Sequence, residues 1–429
     1  MARRGQAEFL FRPEDFDGAS GEHQLSAGTS GSTGRSTRVR ICLEHYAGQL
    51  AQTQASLEIH GLTRARHALW LPPAEWGLSR LLLTSGLAAP PRLWESQVPL
   101  RPPAVPISMA AKMAALTCLL RSAGVAAPFM GFTPLGRPER LGLWLARQAR
   151  GGRRVQLATY PSSAVRLARW AAHHGVELAG CTFLVAGEPV TAARRRAIES
   201  TGAACLPLFG ASEIGAAAEA CLAPRSPDDM HLYAHRFAAI STPRRGGASL
   251  DVAVLQFTTL TLTSPKVFLN AETGDVGVVE ERDCGCAWSA LGCRTHVRDV
   301  WSFAKLTAEG MTLPGDAVFR VLEEVLPARF GGRAGDYQLT THPGRDGLTR
   351  YHLIVSPTVG PRDEAALRAA FLDELVKAGG ASRLAADYLR RAGQLRVIWS
   401  LPAVSAGGKS LPVVLRPPGG SGWVRQPAP

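Results

Sequence analysis

Beyond residue 154 the chain alternates short apolar runs with longer amphipathic stretches. The runs at 155–158, 182–186 and 206–209 read as strands, and the stretches at 162–174 and from Thr191 to residue 200 read as helices. Strands separated by helices predict a parallel sheet covered by helices. Residues 275–293 lose this periodicity, carry Gly and Cys, and read as a connector. A smaller α+β pattern follows: a helix near 317–327, strands at 337–340 and 351–355, a helix at 363–377 and a strand at 395–399. The expected fold is α/β, with a large N-terminal domain at 1–298 built on a mostly parallel sheet. A small mobile α+β domain is expected at 299–429. Residues 18–36 and those beyond 417 read as linkers.

A length of 429 residues suits two domains with substantial cores, and 46% hydrophobic content excludes a disordered chain. Basic residues number 48 against 35 acidic ones, a formal charge of +13 that suits phosphorylated ligands or acidic surfaces without choosing between them. No nucleic-acid motif accompanies the charge, so no nucleic-acid partner is expected. Only five basic residues are lysines, Lys112, Lys266, Lys305, Lys377 and Lys409, and each asks for its own explanation. The first residues hold no signal-peptide core. The most apolar stretch, 107–120, is interrupted by Lys112 and falls short of the roughly 20 residues of a membrane helix. A cytoplasmic protein without membrane contact is the expectation. Eight cysteines are too sparse for a disulfide scaffold, so a cluster among them points to metal or reactivity.

The segment Thr29-Ser30-Gly31-Ser32-Thr33-Gly34 joins glycines, which admit a close anion, to hydroxyls that donate to phosphate oxygens. A Ser/Gly linker has the same composition. Four further motifs follow in order: Gly187-Glu188-Pro189, Phe209-Gly210-Ala211-Ser212-Glu213, Thr273-Gly274-Asp275 and Gly407-Gly408-Lys409. The first two fall just beyond strand ends, where open α/β sheets bind ligands. In this order the five motifs resemble the adenylate-forming superfamily, and within it the phenylacetate-CoA ligase branch with its acyl-protein synthetase relatives.

The resemblance implies residue roles. Residues 29–34 would be the phosphate loop, Gly187 and Glu188 would line the adenine pocket, and Phe209 and Gly210 would form the motif whose aromatic ring stacks on adenine. Ser212 belongs to the same motif, in which Glu213 holds Mg²⁺. Asp275 would bind the ribose hydroxyls and Lys409 would neutralise charge during adenylation. The implied reaction is ATP-dependent activation of a small carboxylic acid and transfer to a thiol. Coenzyme A is the first choice, and a carrier protein or another protein nucleophile the second. A non-catalytic descendant that binds a partner is the alternative from another class.

A second group comprises Cys221, His231, Cys284 and Cys286. Thiolates and imidazole are the ligands that structural Zn²⁺ prefers, and some phenylacetate-CoA ligase relatives look similar here. Cys293, His235 and His296 are substitutes within the set, and inert buried cysteines are the alternative. Cys42, Cys118, Cys181 and Cys205 read as small packing residues. The run Arg194-Arg195-Arg196 reads as a solvated helix face. Two departures stand out. Only 28 residues precede the phosphate loop, fewer than the resemblance implies, so either the large domain is shortened at its start or the start of the chain is incomplete. The family's Gly-Arg-x-Asp-Asp hinge is replaced by the segment from Asp299 to Lys305, with Lys305 as candidate pivot.

Overall fold

The computed structural model describes residues 2–4, 7–9, 12–18, 25–28, 38–102, 105–245, 251–302, 306–308, 311–313, 315–332, 335–344, 346, 348–403 and 412–415. Residues 29–34, Lys305 and Lys409 lie outside them. Among the described residues twelve strands form one sheet. In chain order they are β1 Arg66–Trp70, β2 Leu93–Ser96, β3 Met130–Phe132, β4 Val155–Thr159, β5 Cys181–Val185 and β6 Ala204–Ala211. Then come β7 Gly215–Ala220, β8 Met230–Leu232, β9 Phe237–Arg245, β10 Asp251–Thr259, β11 Ala271–Glu281 and β12 Thr295–Ser302. The spatial order is β9-β10-β11-β12-β8-β7-β6-β5-β4-β1-β2-β3.

The parallel arrangement expected for the large domain holds from β3 to β6, and the other six strands extend it antiparallel. In the parallel half β4 and β5 are buried at every position, as strands with helices on both faces must be. Leu157, Phe183 and Val185 pack on one face with Leu145, Val165 and Leu167. Leu69, Ala158 and Leu184 pack on the other with Leu57 and Leu81. The helices that cover these faces include α1 Leu43–Ile59, α2 Glu75–Gly86, α3 Ile107–Ser122, α4 Glu139–Ala149, α5 Pro161–His173 and α6 Ala192–Glu199. Thr191 caps α6 as expected, its hydroxyl accepting from the Arg194 amide at 3.3 Å.

Residues 275–293 correct the sequence reading. They are a connector only in part: 275–281 belong to β11, an interior strand of the sheet, whereas 282–293, with a short helix at Ala287–Ala290, link it to β12. The alternation was hidden because this half of the sheet is only partly buried and its pairing slips between Val276 and Val278.

A second sheet has the order β15-β14-β13-β16, from β13 Tyr337–Pro343, β14 Thr349–Val355, β15 Leu395–Trp399 and β16 Val413–Leu415. With α7 Glu364–Lys377 and α8 Gly380–Ala392 it encloses its own core, including Leu339, Leu353, Phe371 and Leu389. The two units touch through specific groups. Tyr388 of α8 is wholly buried and donates to Gln97 Oε1 at 2.9 Å, and Leu348 joins the apolar cluster of the large sheet. No described helix is long and apolar enough to cross a membrane.

Candidate functional site

Strands β5 and β6 run side by side, with Val185 opposite Pro207, so the 187–189 turn emerges beside the last residues of β6, which extends through Ala211 and so contains Phe209 and Gly210 rather than ending before them. Gly187 takes a positive φ of 84°, a conformation that lets the chain turn as β5 ends. Glu188 then folds back. Its carboxylate accepts from the amide of Ser162 at 3.0 Å and from the Ser162 hydroxyl at 2.8 Å, at the first turn of α5 where helix amides lack partners. Arg194 completes the arrangement, its Nη1 2.8 Å from Glu188 Oε2 and also donating to the Pro189 carbonyl at 2.8 Å.

Arg194 corrects the sequence reading, which placed it on a solvated face. The residue is 4% exposed, and its Nη2 reaches Thr349 Oγ1 of the small unit at 2.9 Å. Arg196 is exposed as expected, while Arg195 is half-buried, pairing with Glu199 at 2.8 Å and donating to the Pro227 carbonyl at 2.9 Å. A helix turns successive residues by 100°, so three adjacent arginines cannot share one face. Cys118 is the opposite case: it is exposed on α3, whereas Cys42, Cys181 and Cys205 are buried as expected.

The next motif is a tight bulged hairpin between β6 and β7. A Cβ on Gly210 would lie 2.5 Å from the Gly215 carbonyl oxygen, so this position demands glycine. One face of the Phe209 ring stacks on Phe257, with centroids 5.4 Å apart. Beyond it, Glu75 at the start of α2 hydrogen-bonds the Ser212 side chain and lies close enough to Glu213 to feel its charge. Burial, reinforced by the Glu213 carboxylate, pushes the Glu75 carboxyl up to about 7 although the Ser212 hydrogen bond acts against this. Glu75, Ser212 and Glu213 thus bring carboxyl and hydroxyl oxygens, the donor type that Mg²⁺ takes, to this end of the hairpin. Sequence reading missed Glu75 because it belongs to no motif and reaches Ser212 only through tertiary folding. Asp275 is 8% exposed within β11, with its carboxylate accepting from Thr273 Oγ1 at 2.9 Å.

No protein-family model matches the chain, and no curated protein matches it in sequence. Solved structures do match in fold. A 2-hydroxyisobutyryl-CoA ligase, in complex with 2-HIB-AMP and CoA in the thioesterification state, aligns with a TM-score of 0.54 at 16% identity, over 91% of this chain and 73% of that one. A mutant amide bond synthetase from Marinactinospora thermotolerans gives a TM-score of 0.53 at 14% identity, over 90% of this chain and 67% of that one. The fold is that of the adenylate-forming ligases.

Within this adenylate-forming fold the antiparallel half of the large sheet carries the Cys/His group. Cys221 follows β7, His231 lies in β8, and Cys284 and Cys286 follow β11. The sulfurs of Cys221 and Cys284 are 3.7 Å apart, and Cys284 Sγ is 3.5 Å from His231 Nε2. Around a tetrahedral zinc ion two sulfurs sit about 3.8 Å apart, and a sulfur and a nitrogen about 3.5 Å, given the usual bond lengths. His231 donates from Nδ1 to the Cys293 carbonyl at 2.6 Å, which leaves Nε2 facing the sulfurs. Burial and the neighbouring His296 lower its pKa to about 4, so the ring is neutral, as a ligand must be. The residues fit zinc.

Two side chains compete for the fourth position. Cys286 Sγ is 3.1 Å from His231 Nε2. His296, directly opposite His231 across β8 and β12, groups with Cys221, His231 and Cys284 so that one ligand atom from each lies within 4.8 Å of the others. His296 Nδ1 is held by Asp229 Oδ1 at 2.7 Å, while its Nε2 is buried without a hydrogen-bond partner. That group takes the substitute His296 in place of the expected Cys286, and His235 and Cys293 do not join it either.

Proposed function

We propose that this protein uses ATP and Mg²⁺ to convert a small carboxylic acid into an acyl-adenylate and then passes the acyl group to a thiol, with coenzyme A the first choice. The observation that carries this reading is the emergence of the 187–189 and 209–213 motifs side by side at the carboxyl edge of β5 and β6, in a chain with the adenylate-forming fold. In the first half-reaction a carboxylate oxygen attacks the α-phosphorus of ATP, the bond to the β-phosphate breaks, and pyrophosphate leaves. In the second, the thiol sulfur attacks the acyl carbon, AMP leaves, and the thiol proton passes to solvent.

Bound Mg²⁺ supplies the positive charge that lets two anions approach. Glu213, with Glu75 beside it, supplies oxygen ligands for that ion. Phe209 offers a ring to the adenine and Asp275 a carboxylate to the ribose hydroxyls. Glu188 acts indirectly, because its oxygens are committed to Ser162 and Arg194. It holds the turn after β5 in place and leaves the backbone of that turn to face the nucleotide. Lys409 stabilises the charge that develops at the phosphate during adenylation. The Cys/His group holds a structural Zn²⁺ through Cys221, His231 and Cys284, with Cys286 or His296 as the fourth ligand.

ATP/pyrophosphate exchange measured with a panel of carboxylic acids tests the reading. Acid-dependent exchange supports it. Absence of exchange with every acid, in protein that binds ATP, favours a scaffold that keeps the fold without the chemistry.

A further inference from the structure

Strand β12 is the last strand of the large sheet before the chain passes to the small unit, and it is distorted near its end. Val278 pairs with Arg298 and Val276 with Trp301, so Asp299 and Val300 together oppose Gly277. This is a β-bulge, which bends a strand and leaves backbone amides without ladder partners. Asp299 adopts a positive φ of 53°, unusual for a residue other than glycine.

Both amides of the bulge are taken by one side chain. Asp228, 5% exposed, accepts from Asp299 N at 2.9 Å through Oδ1 and from Val300 N at 2.7 Å through Oδ2. Its neighbour Asp229 is tied to the Cys/His group. The Asp229 carbonyl accepts from the Cys221 amide at 2.9 Å, its carboxylate holds His296 Nδ1 at 2.7 Å, and it also pairs with Arg282. Two adjacent aspartates thus join the Cys/His group to the point where β12, the last strand of the large sheet, bends.

We propose that the Cys/His centre anchors this bend: zinc fixes the loop at 228–229, and Asp228 acts as the positioning residue that holds the bulge near the end of β12. The inference rests on the zinc reading above. A centre whose influence is local tightens one loop, whereas a general staple stabilises every element equally, and hydrogen exchange separates the two.

The test is hydrogen exchange by mass spectrometry on the full chain in three forms: zinc-loaded, stripped with a chelator, and Asp228→Asn with its zinc content measured. The expected result is that Asp228→Asn keeps its zinc. In both altered forms peptides covering 297–302 should exchange about tenfold faster or more, the scale of one or two lost hydrogen bonds to a charged group. Peptides covering 367–375 in the small core should stay protected, and returning zinc to the stripped protein should restore 297–302. Unchanged exchange at 297–302 after stripping, or in Asp228→Asn, overturns the proposal. So does a rise of equal size in both sets of peptides, which would make the centre a staple for the whole fold. A protein that never binds zinc is recognised by elemental analysis, and overturns the zinc reading together with the anchoring role built on it.

Discussion

Arg194 and Glu188 form an ion pair at 2.8 Å whose side chains are 5% and 3% exposed, and through this pair the turn after β5 is bound both to the first turn of α5 and to the small unit. A charge pair removed from water so thoroughly is costly to break, because the surviving partner is left buried and uncompensated. Arg194→Met is therefore expected to lower unfolding stability by about 3–5 kcal/mol. Thr349→Val, which removes only the contact to the small unit, is expected to cost about 1 kcal/mol. Urea unfolding of both variants checks the difference, and equal losses would show that the ion pair adds nothing beyond the interdomain hydrogen bond.

Glu213→Ala is expected to lower acid-dependent pyrophosphate exchange by about tenfold or more, since in the proposed reaction Glu213 would position Mg²⁺. Circular dichroism should confirm an unchanged fold. Exchange at the level of the unaltered protein would remove Glu213 from the chemistry.

Cys284→Ser is expected to lose the metal, about one zinc per chain, and with it thermal stability, because the energy of metal binding is part of the energy of folding. Elemental analysis and a melting curve test this together. A metal-free protein of ordinary stability, purified without chelators, would leave the four side chains as packing residues.

Lys409→Ala is expected to separate the two half-reactions. Adenylation should slow by a barrier of several kcal/mol, the scale of a lost charge-stabilising group, while transfer from a supplied acyl-adenylate continues. Measuring each half-reaction alone decides it, and parallel losses in both would point to a binding role for the lysine.

Acid should destabilise the large unit through His67. Burial and, secondarily, the Arg80 charge lower this imidazole from 6.5 to about 4 in spite of its hydrogen bond to Gln156. The unfolded chain then binds the proton more readily than the folded one. The contribution is present above pH 6.5 and is lost as pH falls towards 4, to a total on the order of 3 kcal/mol. His67→Asn should show a shallower fall of stability across that window, and an unchanged slope would place the acid sensitivity elsewhere.

The elements with an unbroken pattern were legible in the sequence. Strands β4 and β5 showed as apolar runs because helices cover both their faces, and α5 and α6 showed by their period and by Thr191 at the cap. The order of the short motifs along the chain was also legible, and it pointed to the adenylate-forming fold that the structural comparisons show.

Tertiary structure decided what pairwise geometry controls. Strand β11 was hidden because a half-buried, bulged strand has no clean alternation. Arg194 looked solvated because a sequence states charge but not which side of a helix meets Glu188. Glu75 was invisible because its partners, Ser212 and Glu213, stand far along the chain. His296 ranked only as a substitute until the register of β8 with β12 set it opposite His231. In each case local composition determined what a residue can do chemically. The folded sheet determined which other residue it does it with, since contacts between distant segments depend on register and packing that no short stretch of sequence encodes.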